Sequence, residues 1–263
     1  MSVGSNVVKI TAKTALKGNY IKVAVASLVL ILSWLLCINS TVLLQNIVGG
    51  FCSAVIFALI FVFLLAPLAL GLLRYIWRIL LGVADNPVAV FYWFSNKKLY
   101  IRSEKFVFQY VFRVLIWLAI LNIPSILLYI LSQSYTFELF NTSAPIWTAN
   151  LGYYSIGLRN ISFVLVFFLM LKFYMAPLLF VADDNIDINE AMYNSSVISR
   201  KSSIDFISLI ASSIGWILLS FFCLPLPFTL PLLMTFYAVH IRFTVFEYNR
   251  HIEESKIEYE GFI

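Results

Sequence analysis

Long apolar runs alternate with short basic segments along the whole chain. Six runs stand out, at about 21–38, 48–73, 106–131, 161–181, 206–224 and 228–246. A run of about 18 or more apolar residues is long enough, at about 1.5 Å rise per residue, to cross the hydrocarbon of a bilayer. The pattern predicts an all-α membrane protein of about six transmembrane helices in a single integral membrane domain over 1–263, with 247–263 as a tail.

The segments between the runs carry helical patterns of their own. Lys9, Lys13 and Lys17 recur every four residues and share a face, with Val8, Ala12, Ala15 and Leu16 beside them, and Gly18 suits a helix stop. In "NPVAVFYWF", Pro87 fits a first helical position and four aromatics follow, which suits a helix in the headgroup layer. In "DINEAMYNSSVISRK", Ile188, Ala191, Met192 and Ser195 share a face. Asp187 can cap its start, and Arg200 with Lys201 suit its negative end. These are expected to be short amphipathic interfacial helices on the cytoplasmic side.

A weak threefold recurrence runs through the same regions. Trp34, Trp117 and Trp216 mark the odd spans, while "APL", "APL" and "LPL" place Pro67, Pro177 and Pro231 in the even ones. The pattern is compatible with three helical hairpins, an organisation of the kind found among transporters.

Composition agrees with this reading: 62% of residues are hydrophobic and 12% charged, against roughly a quarter charged in soluble domains. Lys and Arg concentrate in alternate connections, and positive connections stay cytoplasmic. A multi-pass membrane protein with cytoplasmic N- and C-termini is expected. Lys9, Lys13, Lys17, Lys97, Lys98, Arg102, Arg200 and Lys201 are candidate contacts for anionic lipid headgroups, worth about 1 kcal/mol each near the surface. The alternative is that they only fix topology. Cys37, Cys52 and Cys223 lie in or beside apolar runs without C-x-x-C spacing, which points to packing rather than a disulfide or zinc site.

Reactive constellations are missing from the sequence. His240 and His251 have no metal-ligand spacing to acids or to each other, and a lone His near an interface suits a hydrogen-bonded helix residue. No G-x-S-x-G, H-E-x-x-H or phosphate-cradling glycine loop occurs. Asp183, Asp184, Asp187 and Glu190 fit a solvated helix start better than a carboxylate pair. No enzymatic activity, no cofactor, no metal and no nucleic-acid partner are expected.

Lys172 is the exception inside an apolar run, in "FFLMLKFYMAPLLFVADDN". Counting from Asp183, it lies roughly 16 Å into the bilayer, where an ammonium costs about 2.5–3.5 kcal/mol. Asn122, Tyr174 or Tyr129, carbonyls loosened by Pro177 or Pro124, or a ligand could receive it. Lys172, Asn122, Tyr174 and Pro177 therefore form a candidate intramembrane polar site. Three roles stay open: a tolerated lysine, a hydrogen-bond hub between spans, or an anion-binding site within the bundle.

The pieces "ALKGNY", "WLAILNIPSI", "MAPLLFVADDN", "EAMYNSSVISRKS", "SSIGWILL" and "LPLLMTFYAV" occur in the order seen in a bacterial membrane family, domain of unknown function 975, which the chain resembles. It departs from that family in Pro124-Ser125, in "ISRKS" and in a long loop over 132–159. The resemblance implies a multi-pass inner-membrane protein without an assigned activity. Two functions are weighed: a non-catalytic module that binds lipid or a membrane protein partner, which is favoured, and a small transporter or channel with an anion site around Lys172.

Overall fold

The computed structural model describes residues 4–83, 86–134, 146–222 and 225–260. Ten α-helices occur among them: α1 (Ser5–Leu16), α2 (Tyr20–Val48), α3 (Gly50–Ile60), α4 (Ala66–Leu80), α5 (Lys97–Ser134), α6 (Ile146–Met170), α7 (Ala176–Ala182), α8 (Ile188–Ser212), α9 (Ile214–Ser220) and α10 (Leu226–Glu260). A π-helical turn, Phe61–Leu65, joins α3 to α4, and 3-10 segments cover Pro87–Phe94 and Leu171–Phe173. No strand is present among the described residues. The fold is all-α. Cys223 and the centre of the 132–159 loop lie outside the described residues.

Five stretches are long and apolar enough to cross a membrane: Tyr20–Ile47, Gly50–Leu80, Lys97–Ser132, Asn150–Ala182 and Leu226–Glu253. The fifth predicted span, 206–224, differs from the rest. Ile188–Ser212 and Ile214–Ser220 meet at a 58° bend, so the sixth crossing exists only if the bent pair acts as one. Ser213 stands at the break with its hydroxyl buried and without a hydrogen-bond partner. The other helices also outrun their apolar runs, because hydropathy marks apolar content whereas the backbone hydrogen-bond ladder continues into polar sequence.

The chain forms two units, Met1–Val107 with Phe173–Ile263, and Phe108–Lys172. In the first, α1 buries Val8, Ala12 and Leu16, a stripe at four-residue spacing. These pack with Leu68, Leu72, Tyr75 and Ile76 of α4 and Phe236, Val239 and Ile241 of α10. The 3-10 segment Pro87–Phe94 lies against α4, and Gly71 permits the approach. A Cβ on Gly71 would stand 1.9 Å from the Val90 carbonyl oxygen. Val90 and Trp93 are fully buried, so this segment turns its apolar face to protein. The helix α4 ends at Gly82, whose φ of 77° is readily reached only without a Cβ. The Val83 N–H returns to the Arg78 carbonyl and the Gly82 N–H to that of Ile79, a Schellman closure.

Prolines inside long helices leave carbonyls that tertiary contacts then serve. Pro67 cannot donate to the Phe63 carbonyl four residues before it, and the Tyr100 hydroxyl donates there at 2.9 Å. Pro231 likewise leaves the Pro227 carbonyl, which accepts from the Ser27 hydroxyl at 3.2 Å. In an apolar surrounding such groups cost several kcal/mol each when unsatisfied, so these hydroxyls stabilise the bends.

The second unit is the hairpin of α5 and α6. The Ser125 hydroxyl donates to the Ser155 carbonyl at 2.8 Å, Ser155 returns the bond to the Ser125 carbonyl at 3.0 Å, and Ser162 donates to the Leu121 carbonyl at 2.7 Å. Between helices in lipid there is no hydrophobic drive, so small residues and hydroxyl bonds of this kind hold the pair. Leu115, Ile120, Ile123, Phe163 and Phe167 remain exposed on this unit's surface, as a lipid-facing hairpin requires.

Candidate functional site

The four residues of the predicted intramembrane site do not share one environment. Lys172 sits in the 3-10 turn Leu171–Phe173, where its side chain is exposed and its ammonium lies 5.7 Å from the centroid of the Trp117 ring. That distance is within cation–π range. Asn122 donates its amide to the Leu118 carbonyl one turn back, at 2.8 Å. Pro177 opens α7 at its first turn, where a missing N–H costs nothing. Tyr174 is buried in the first unit, in a polar network of its own.

That network is the most enclosed chemistry in the described residues. The Tyr174 hydroxyl is 3.0 Å from Ser202 Oγ and 3.0 Å from His240 Nε2. The Tyr174 ring stacks on Phe206 at 4.1 Å, and Phe206 lies 5.7 Å from the imidazole. Tyr237 donates its hydroxyl to the Tyr174 carbonyl, and the Met175 N–H donates to Ser195 Oγ at 3.2 Å. His240 is 1% exposed. Its hydrogen bonding matches the sequence expectation for a lone His, while Ser202 and Phe206 were not foreseen. The only available signal was the small-residue face of α8, where Ser195, Ser199 and Ser202 are all buried.

A second cluster fixes the turn between α7 and α8. Arg74 reaches from α4 to Asp184 with a bidentate pair, donates to the Val181 carbonyl and lies 3.7 Å over the Tyr92 ring. Arg102 donates to the carbonyls of Asp183 and Ile186 at 3.2 and 2.9 Å, with its guanidinium 4.7 Å over Phe180. Phe180 is stacked between Phe106 and Trp93, at 4.3 and 5.2 Å. Burial alone would raise the Asp184 carboxyl. The Arg74 hydrogen bonds and charge, aided by Tyr92 and Arg102, outweigh it and hold the group below the usual carboxylate range. Burial raises the Tyr92 phenol. Asp187 caps α8 by accepting the Asn189 N–H at 3.1 Å.

Ten of the eighteen basic residues fall into two sets. Lys9 donates to the Ser212 carbonyl at the end of α8, Arg242 to the Leu80 carbonyl at the end of α4, and Arg74 and Arg102 are committed as described. Cations at helix C-termini offset the negative end of the helix dipole. Lys13, Lys17, Lys97, Lys98, Arg200 and Lys201 are instead exposed. Arg200 and Lys201 sit in the middle of α8, because that helix runs twelve residues beyond Arg200 and their expected place at its end is not where they fall.

Among the described residues, no group of three or more His, Cys, Asp or Glu could hold a metal ion. Cys37 is buried, Cys52 exposed, and both are free thiols. No known protein family, characterised protein or solved structure matches the chain.

Proposed function

We propose that the protein is a non-catalytic multi-pass membrane module that binds anionic lipid headgroups along its basic interfacial elements, with both termini cytoplasmic. The supporting observation is the division of the basic side chains. Lys9, Arg74, Arg102 and Arg242 satisfy internal acceptors, whereas Lys13, Lys17, Lys97, Lys98, Arg200 and Lys201 project from elements whose other faces are buried. On α1 the buried stripe is Val8, Ala12 and Leu16, and on α8 it includes Ser195, Ile198 and Ser199. Docked helices that direct ammonium groups outward suit phosphate recognition at a membrane surface. The ordered motifs from "ALKGNY" to "LPLLMTFYAV" support placing the chain with the domain of unknown function 975 family.

The test uses purified protein with bound phosphatidylglycerol and phosphatidylcholine counted by native mass spectrometry. Lys13/Lys17, Lys97/Lys98 and Arg200/Lys201 are changed to Gln one pair at a time, so that the overall basic bias still sets topology. Each pair is expected to weaken phosphatidylglycerol retention by about 2 kcal/mol, roughly thirtyfold, and to leave phosphatidylcholine alone. Unchanged retention in all three pair variants refutes the reading.

A further inference from the structure

We propose that a groove between α5 and α6 seats one anionic phospholipid, with its phosphate on Arg159. The groove has a volume of about 760 Å³, and Arg159 is the one charged residue among its described lining. Single-ligand sites span roughly 300–1,000 Å³. This site shares no residue with the basic elements of the proposed function.

Polarity changes along the groove in the order an amphiphile requires. The serine bonds between residues 125 and 155, and from 162 to 121, run the two helices antiparallel and bring Asn122 level with Arg159. Toward one end the lining is Tyr129, Ser132 and Tyr153. Tyrosines favour the level of the headgroups, with the ring in apolar surroundings and the hydroxyl in water. Toward the other end come Leu118 and Phe163. From there, α6 has no charged residue before Lys172, and α5 none back to Arg113. A phosphate beside Arg159 would send its acyl chains along this apolar stretch and its polar head toward the tyrosines.

The serine and asparagine side chains of the groove already donate to helix carbonyls. Ser125 and Ser155 bond each other's carbonyls, and Asn122 bonds Leu118. Arg159 is exposed within the groove and presents the planar donor fork that suits a phosphate. A second copy of the chain is a poorer occupant, because a twofold contact through this groove would bring two Arg159 side chains into one apolar seam, where like charges repel.

The test measures phosphatidylglycerol and phosphatidylcholine of matched chains binding to the full-length protein in neutral detergent, by native mass spectrometry. Glycerol 1-phosphate is added as a headgroup without chains. Wild type is expected to hold one phosphatidylglycerol that the Lys97→Gln/Lys98→Gln variant also retains. Arg159→Gln is expected to weaken that lipid at least about tenfold, and Arg159→Lys less. Glycerol 1-phosphate should not displace it. Equal retention of both lipids, no effect of Arg159→Gln, full displacement by glycerol 1-phosphate, or a chain dimer lost on lipid addition would each overturn the assignment. Arg159 is exposed, so its variants should fold, and an unchanged melting temperature in lipid-free detergent checks this. Loss of the lipid in the Lys97/Lys98 pair variant but not in Arg159→Gln would support the proposed function and overturn the Arg159 assignment.

Discussion

Gly71 and Val90 pack backbone against backbone: a Cβ at position 71 would lie 1.9 Å from the Val90 carbonyl oxygen and 2.9 Å from its carbon. The obstructing atoms belong to a main chain held by the buried Trp93 beside it, so they cannot swing aside as a side chain could. Gly71→Ala therefore has to push the 3-10 segment off α4. Forced overpacking costs about 1–3 kcal/mol, and a rigid neighbour places this case at the upper end. Thermal unfolding in detergent should show a clear drop. Gly152→Ala, where a Cβ meets nothing within 4 Å, should show almost none.

The proline bends give a second expectation. Tyr100→Phe and Ser27→Ala each remove a hydroxyl from a carbonyl that a proline cannot serve, at Phe63 and Pro227. Each should cost about 1–2 kcal/mol, more than an exposed hydroxyl would, because lipid and protein offer those oxygens no replacement water. Ser132→Ala, which removes an exposed hydroxyl bonded within its own helix, is the control and should change stability little.

How much of this was legible in the sequence depends on what each residue needed to reveal. The all-α class, the helix stop at Gly18 and the Asp187 cap follow from local patterns, and the structure shows each of them. The partners of the basic residues were not legible. Lys9 and Lys13 stand on the same helical face in the sequence, yet one lies against Ser212 and the other is exposed. Spacing along one helix carries no record of where another helix ends. Lys172 shows the same limit. Depth could be counted from Asp183, but the Trp117 face beneath its ammonium comes from tertiary packing. Tyr174, which could have served Lys172, instead turns its hydroxyl to Ser202 and His240.

That buried network should behave as a coupled pair. Tyr174→Phe leaves His240 Nε2 without its phenol, and His240→Phe keeps a ring beside Phe206 but takes the imidazole from the phenol, which still has Ser202. Each single change should cost about 1–3 kcal/mol. The double variant should cost less than the sum by about 1 kcal/mol, since the second change removes a group already orphaned by the first. Strict additivity in chemical unfolding would show that the two groups do not share the bond.

The last expectation concerns acid. Asp184 is held below the usual carboxylate range, since the Arg74 pair and charge, with Tyr92 and Arg102, outweigh the opposing effect of its burial. A carboxyl depressed by folding contributes stability that is fully present above its unfolded pKa of about 3.9 and is lost as pH falls through the lower folded value. At neutral pH the wild type should therefore be more stable than Asp184→Asn, and the gap should close only below about pH 4. The size is limited by solvent, because the Asp184 side chain is 43% exposed against 12% for Arg74. Melting temperatures of the two proteins measured from pH 7 down to pH 3 decide the matter. Convergence at the acid end assigns the stabilisation to the charged pair, whereas a constant gap assigns it to packing of the turn alone.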